Sequence, residues 1–522
     1  MEAFLQKHAD VVTGVLSGFD RILFRGTLLR MIHAVAMIGL LRVNKIPIDG
    51  FGEFAEETSK KIKRASLAPA FEANRPVLFL RSSEWRKDDK AREIAAHDRI
   101  ENGLICVLTA VEPCHTFAIK FNPRTQKARL EPAFRKCLHL YHYLMHPELG
   151  LMHIRLQTWF PFGMQVYVNG REWLSRTLSR EKIEYVKQGN CFMQLGDLAG
   201  AQALFNAQLQ MNWPAFFSGI VKQFNPAVSD VFKDYPAEYH WSAHQSEWAT
   251  DVMFKDAGAV TAIYPRLLRH ALMTFDSPNV MRFLGRPVSR GGEVMGHFKG
   301  ALASWMKREP ECVRIRHAMN QNSIKLYNKA GSVLRVETTI NNPKEFKVFR
   351  SREGDPKQLK AWRPMRKGVA DMQRRAEVSQ AANERYLTAL AAADTDLSLG
   401  QLLEKPCQPV MWKGKRVRAL QPTGQDASLL AAVGNGDFTV NGFRNRDIRR
   451  LLMPGAPAGT GTADKRCAGQ ITRKLRMLRA HGLIQKVYKT QRYQLTPKGR
   501  ILTAALAAAN HANVGKLMEI AA

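Results

Sequence analysis

Residues 473–500 read RKLRMLRAHGLIQKVYKTQRYQLTPKGR. Leu475 and Leu478 continue a stripe that starts at Ile471, so the spacing predicts a helix near Arg466–His481 with one apolar face. Gly482 tolerates positive φ and ends it. Leu483–Tyr488 and Gln491–Leu495 then alternate with the two-residue period of a hairpin around Lys489-Thr490, and Thr496-Pro497 reads as the cap and first residue of a closing helix. Upstream, Arg446–Met453 forms a short helix with Ile448, Leu451 and Leu452 facing inward, and a Pro/Gly/Ala/Thr loop over 454–463 separates the two helices.

Helix, helix, β-hairpin, helix is the order of a winged helix, and this segment resembles the winged-helix domains of bacterial regulators of the MarR type. The resemblance covers roughly the last fifth of the chain and implies a second helix lying in the major groove of duplex DNA. Arg473, Lys474, Arg476 and Arg479 lie off its apolar stripe, and the hairpin adds Lys486, Lys489 and Arg492. Residues 441–500 hold 15 Lys and Arg against Asp447 and Asp464, a local charge of +13. A winged helix that binds protein is the alternative, although such domains usually lack so basic a face.

The whole chain shares this bias. It has 522 residues, 78 Lys and Arg against 46 Asp and Glu, and a net charge of +32. That balance costs self-repulsion unless a polyanion neutralises it, and nucleic acid is the leading partner. No apolar run reaches the roughly 18 residues of a membrane span and the first residues lack a signal-peptide layout, so a soluble, cytoplasmic protein is expected. Seven cysteines without a Cys-x-x-Cys pair support neither a disulfide framework nor a cysteine-rich zinc site.

The expected fold is multidomain α/β and α+β. Residues 1–125 alternate strand-like runs (Arg21–Leu28, Val77–Leu80, Leu104–Val111) with helical patterns, as an α/β unit does. Residues 126–306 form a hairpin (Met152–Phe160 with Met164–Val168) and then a helix-rich section. Residues 307–398 hold an antiparallel meander (Val313–Met319, Ser323–Asn328, Val333–Ile340) and a long basic helix, 399–425 a Pro- and Gly-containing linker, and 426–522 the winged helix.

Several constellations could carry chemistry. On the meander, Lys325 and Tyr327 share a face of one strand and Arg335 and Glu337 a face of the next. Cations there would hold a phosphate, Glu337 would bind a divalent ion or move a proton, and Tyr327 is a candidate nucleophile. The run KLYNKAGSVLRVE resembles a strand pair of some plasmid and phage rolling-circle replication initiators, and a cross-strand ion-pair ladder of the kind ordinary sheets carry is the alternative reading of these residues. In EYHWSAHQSEWATDVMF the spacings of four, three and four put His240, His244, Glu247 and Asp251 on one helical face, where they could bind Zn²⁺, Mn²⁺ or Mg²⁺. Asp20 and Glu112 stand at strand ends. With Asp251 and Glu337 they would make a distributed acidic site for Mg²⁺ or Mn²⁺ if the fold brings them together.

His153, Arg155 and Gln157 alternate along one strand, with Gln165, Tyr167 and Asn169 on its partner, a donor-rich face suited to single-stranded DNA or RNA or simply to water. Residues 344–375, which include Arg366 and Lys367, hold 11 Lys and Arg against four acids and read as a backbone track.

Through runs such as HIRLQTWFPF, VYVNGREWL, EWATDVMF, VLRVETTIN and RKLRMLRAHGLI, the full chain resembles a group of uncharacterised bacterial proteins, and its layout is similar to that of mobile-element proteins. Two functions follow as expectations. One is a nucleic-acid-processing enzyme of the transposase, recombinase, nuclease or replication-initiator kind, with a homodimer compatible with its layout. The other is a non-catalytic DNA- or RNA-binding protein, such as a transcriptional regulator or a ribonucleoprotein component.

Overall fold

Residues 1–81, 86–125, 127–288, 298–309, 312–352, 354–355, 359–391, 399–435, 438, 442–454, 462–487 and 490–510 are described by a computed structural model. The fold is mixed α+β and divides into two compact bodies that are not contiguous in sequence: 13–254 with 332–380, and 1–12 with 255–331 and 381–522.

The first body is built on a mixed sheet. In chain order its strands are β1 (Val12–Leu28), β2 (Val77–Phe79), β3 (Gly103–Phe121), β4 (Ala128–His146), β5 (Gly150–Gln157), β6 (Met164–Asn169), β9 (Tyr239–Phe254) and β13 (Val333–Ile340), and in space they run β13-β9-β1-β6-β5-β4-β3-β2. Local patterning cannot show pairing across such sequence distances. The expected boundary at 125 therefore falls in the connection between β3 and β4, which pair antiparallel from Gly103↔Met145 to Phe121↔Ala128. A small hairpin, β7 (Tyr185–Gln188) with β8 (Cys191–Leu195), and another, β14 (Lys347–Arg350) with β15 (Ala361–Pro364), complete the body's strands among the described residues.

One sheet face carries the main core. Ile22, Phe24, Ile154, Leu156, Met164 and Val166 project into it, under helices α1 (Phe51–Glu72) and α4 (Trp213–Phe224). Trp213, Phe217, Ile220 and Phe224 recur at helical spacing and are all buried, each contributing about 1.5–3 kcal/mol by leaving water. On the other face, helix α2 (Lys87–His97) covers Leu108, Tyr141 and Tyr143. Helix α3 (Gly170–Arg180) starts directly after β6, where Asn169 caps it by accepting from the backbone N–H groups of Arg171 and Glu172 at 2.9 and 3.1 Å.

The second body contains helix α5 (Ala257–Thr274) and the antiparallel strands β10 (Leu302–Arg308), β11 (Val313–Met319) and β12 (Asn322–Lys329). The first two strands of the expected meander lie here; the third, β13, belongs to the first body and pairs with β9. Helix α6 (Met372–Leu390) begins in one body and ends in the other. The expected linker at 399–425 contains a short helix (Leu399–Glu404) and a tight hairpin, β16 (Val410–Trp412) with β17 (Lys415–Val417). Beyond it come α7 (Ala427–Val433), β18 (Phe443–Arg444), α8 (Asn445–Leu452), α9 (Thr462–Ala480), β19 (Ile484–Lys486), β20 (Arg492–Leu495) and α10 (Pro497–Asn510), with the three strands in the order β18-β20-β19. Ile448, Ile471, Leu475, Leu478 and Leu502 form their shared core. Gly482 closes α9 at φ 70°, while Leu483 donates its N–H to Leu478 O at 2.9 Å. Among the described residues no helix is long and apolar enough to cross a membrane.

Candidate metal centre and basic helix

Phe19 and Ile22 both enter the main core, three residues apart on β1. A regular strand alternates sides, so two successive residues, Asp20 and Arg21, must turn to the opposite face, as at a β-bulge. Contacts of Ser17 with Thr250, Arg21 with Glu247, and Arg25 O with Ser242 show that β9 runs alongside in the reverse direction. On β9's other side, Arg335 lies opposite Asp251, Glu337 opposite Ala249 and Thr339 opposite Glu247. Directly opposed residues of an antiparallel pair share a face, so Glu247, Asp251, Arg335 and Glu337 join one polar patch.

Asp20, Glu247 and Glu337 each offer a carboxylate oxygen within 4.8 Å of the other two, and the residues are only 2%, 4% and 1% exposed. This buried triad could hold a metal ion. Three guanidinium groups share the patch. Arg335 forks onto Asp251 (2.6 and 2.8 Å), reaches Asp20 at 2.9 Å and donates to Asn190 O at 2.8 Å. Arg171 lies 3.3 Å from Asp251 and 3.8 Å from Asp20, donates to Ala249 O and sits over the Phe205 ring, yet its Nε and Nη1 have no hydrogen-bond partner.

Arg21 donates to Glu247 at 2.6–2.7 Å and lies 3.6 Å from Asp20; at 48% its side chain is the exposed member of the group. Burial is the largest influence on its pKa and lowers it, but Glu247 and then Asp20 outweigh this and hold the group above the usual arginine range. Four carboxylates, of Asp20, Glu247, Asp251 and Glu337, and three guanidinium groups, of Arg21, Arg171 and Arg335, thus meet in the patch. In a medium of low dielectric, three carboxylates this close to one another favour a cation between them.

The fold unites Asp20, Asp251 and Glu337 and adds Glu247, although Asp20 and Glu112, expected at strand ends, lie in the middle of β1 and β3. Glu112 stays apart. Tyr141 donates to both its oxygens at 2.7 Å, Arg155 reaches it at 2.8 Å and Lys87 at 3.3 Å. Burial raises its pKa, but the Tyr141 and Arg155 hydrogen bonds more than compensate and keep it below its ordinary value. Arg155 is therefore engaged by an acid, and α2 covers this part of the sheet, where Asp88 accepts from Tyr143.

The shared helical face of His240, His244, Glu247 and Asp251 does not exist, because the segment is strand β9. The converging acids include neither histidine. His244 has its pKa lowered, first by burial and then by Arg25, Lys367 and Arg375, surroundings that repel a metal ion. Arg335, expected at a nucleic-acid surface, is instead buried among the acids. Tyr327 and the buried Lys325 belong to β12 in the second body. Arg366 pairs with Asp371 at 2.8 Å, whereas Lys367 is exposed. Arg21, which stands beside Asp20 in sequence, pairs with the acids as its position allows, whereas sequence reading missed Arg171 and Asn190 as members of the patch.

In the second body, Ile471, Leu475 and Leu478 of α9 are buried as the stripe requires. Arg473 and Arg476 are exposed, and Lys474 and Arg479 half-buried, on the remaining faces. Asp447 and Asp464, the two acids of the segment, are already engaged: Asp447 accepts from the Arg444 N–H and Asp464 from Arg449, each within 2.7 Å. Lys486 is exposed and Arg492 half-buried, and Lys489 lies outside the described residues. Arg500 pairs with Asp276 and Thr274 O, which ties α10 to the end of α5.

No protein-family model matches this chain, and neither a curated protein nor a solved structure resembles it significantly.

Proposed function

We propose that this is a nucleic-acid-processing enzyme in which Asp20, Glu247 and Glu337 hold Mg²⁺ or Mn²⁺ and act on phosphodiesters, while the C-terminal segment is a winged helix that docks on duplex DNA. The observation that carries the catalytic part is the convergence of three carboxylates from three strands beside arginines. A divalent ion there would polarise a phosphoryl oxygen or activate water, and Arg21 at the surface would meet the phosphate first. The docking part is supported by the helix–strand–helix–helix–hairpin–helix order and by the exposed Arg473 and Arg476 on α9. The burial of the acids and the fork between Arg335 and Asp251 favour a second reading, in which the patch is a structural ion network and the protein binds nucleic acid without turnover.

The two readings part in one assay. The full chain is incubated with labelled single-stranded, duplex and branched DNA and RNA, with and without Mg²⁺ or Mn²⁺, beside Glu337→Gln and Glu247→Gln. Metal-dependent cleavage or strand transfer that both variants lose is the expected result. Binding without turnover under every condition would remove catalysis and leave the structural network.

A further inference from the structure

The hairpin β16–β17 carries Trp412 and is closed by Lys413-Gly414, both at positive φ (50° and 72°), the conformation of a tight two-residue turn. Three cations surround this one indole: Lys413 Nζ lies 5.3 Å from the ring centroid, Arg479 Cζ 5.4 Å and Arg476 Cζ 5.7 Å. Two come from α9 and one from the hairpin turn, so Trp412 joins the hairpin to the basic side of the helix. None of the three has a carboxylate partner among the described residues. The nearby Arg418 shows the contrast, since it forks onto Asp426 at 2.7 and 2.8 Å.

A ring quadrupole offsets about 0.5–1 kcal/mol for each exposed cation, and it does nothing to relieve their mutual repulsion. Three uncompensated cations held around one ring are the arrangement that an anion stabilises. Lys415 and Arg416 extend the positive charge along the exposed outer strand of the hairpin, making a strip rather than a point and favouring a polyanion over a single phosphate ion.

We infer that Lys413, Arg476 and Arg479, positioned by Trp412, clamp a backbone phosphate of duplex nucleic acid beside the groove that α9 enters. The inference rests on the docking half of the function proposed above and adds to it Lys413 and Trp412, which lie outside the helix and its wing. The cations touch the phosphate; Trp412 acts through them as a positioning residue.

The test measures binding of the full chain to a fluorescein-labelled duplex over a series of salt concentrations, for the wild type, Trp412→Ala, Trp412→Phe and Lys413→Ala, with vesicles of anionic phospholipid as a second probe. Lys413→Ala, a change at an exposed turn, should weaken duplex binding about fivefold and reduce the slope of log K against log salt by about one. Trp412→Ala should match or exceed that loss, and Trp412→Phe, which keeps a ring face, should recover most of it. If the wild type binds duplex but Trp412→Ala and Lys413→Ala leave affinity and slope unchanged, the clamp is wrong and the docking reading survives. No duplex binding by the wild type would sink both, and binding to vesicles in place of duplex would overturn the assignment to nucleic acid.

Discussion

Arg335 and Asp251 stand directly opposite each other on β13 and β9, and the guanidinium forks onto the carboxylate at 2.6 and 2.8 Å with both residues at or below 1% exposure. A pair this deep is held by geometry, because the desolvation of two charges is recovered only through well-aligned hydrogen bonds. Arg335 also bridges to Asp20, so it couples the pair to the acid triad.

Breaking the pair from one side should therefore be severe. Arg335→Met leaves Asp251 and Asp20 short of a partner and is expected to destabilise the protein by about 3–5 kcal/mol, read as a lower urea midpoint. The double variant Arg335→Met/Asp251→Leu removes the stranded charge and should recover part of that loss. Additive losses would mean that the two residues are not energetically coupled.

Gly170 offers a test of how Arg171 is placed. A Cβ on Gly170 would lie 2.0 Å from the carbonyl oxygen of Phe19, a backbone atom that cannot turn aside. Gly170→Ala should cost about 2 kcal/mol or more by forcing β1 away from the start of α3. A thermal midpoint equal to that of the wild type would show that the contact relaxes freely.

Acid should weaken the fold through its buried histidines. Burial pushes His139 and His142 down to about 4 and His317 to about 3, from an unfolded value near 6.5. The unfolded chain then binds more protons, so stability is complete above about pH 6.5 and falls as the pH drops toward about 4. His142 illustrates the cause: it is fully buried, and although its ring meets Ser66 O at 2.9 Å, the loss of water outweighs that contact. The loss is on the order of 3 kcal/mol for a histidine shifted this far. Urea midpoints measured from pH 7.5 to 4.5 should decline steeply, and His142→Gln should flatten the decline; an unchanged slope in that variant would contradict the assignment.

Much of the C-terminal segment was legible because its order is local. The stripe of Ile471, Leu475 and Leu478 marks a helix whose observed limits, Thr462–Ala480, overlap the expected ones, and Gly482 ends it for the reason its φ shows. β13 likewise spans 333–340, as its alternation requires. β9 misled for a physical reason. Ala243 and Trp248 both enter the main core five residues apart, which a two-residue alternation cannot produce without a break. The irregularity gave His240, His244, Glu247 and Asp251 a spacing that fits a helix. Asp20 and Arg21 hide a similar break on β1. Their meeting with Glu247 and Glu337 depends on pairing between segments more than two hundred residues of sequence apart, which no local pattern encodes.

Duplex binding should depend on α9. Arg473→Ala/Arg476→Ala removes two exposed cations from the helix and should weaken binding while reducing the slope of log K against log salt by about two. The measurement is an anisotropy titration at several salt concentrations. Unaltered affinity and slope would place the main anchor elsewhere on the chain.

The acid triad makes a prediction whose sign depends on whether metal is present. Without a divalent ion, Asp20, Glu247 and Glu337 lie within 4.8 Å of one another in a buried patch. Glu337→Gln keeps the shape and relieves the repulsion among three crowded carboxylates, so the metal-free variant should melt at or above the wild-type temperature. With Mn²⁺ at about a hundred times its dissociation constant, binding to the native state alone adds about 2.7 kcal/mol to the wild type. The variant, having lost one ligand, should gain far less, and the two melting temperatures should cross. A structural ion network predicts another pattern, in which Glu337→Gln lowers the melting temperature in both conditions and Mn²⁺ moves neither protein. Differential scanning calorimetry of both proteins, with chelator and with Mn²⁺, separates the outcomes without requiring any substrate.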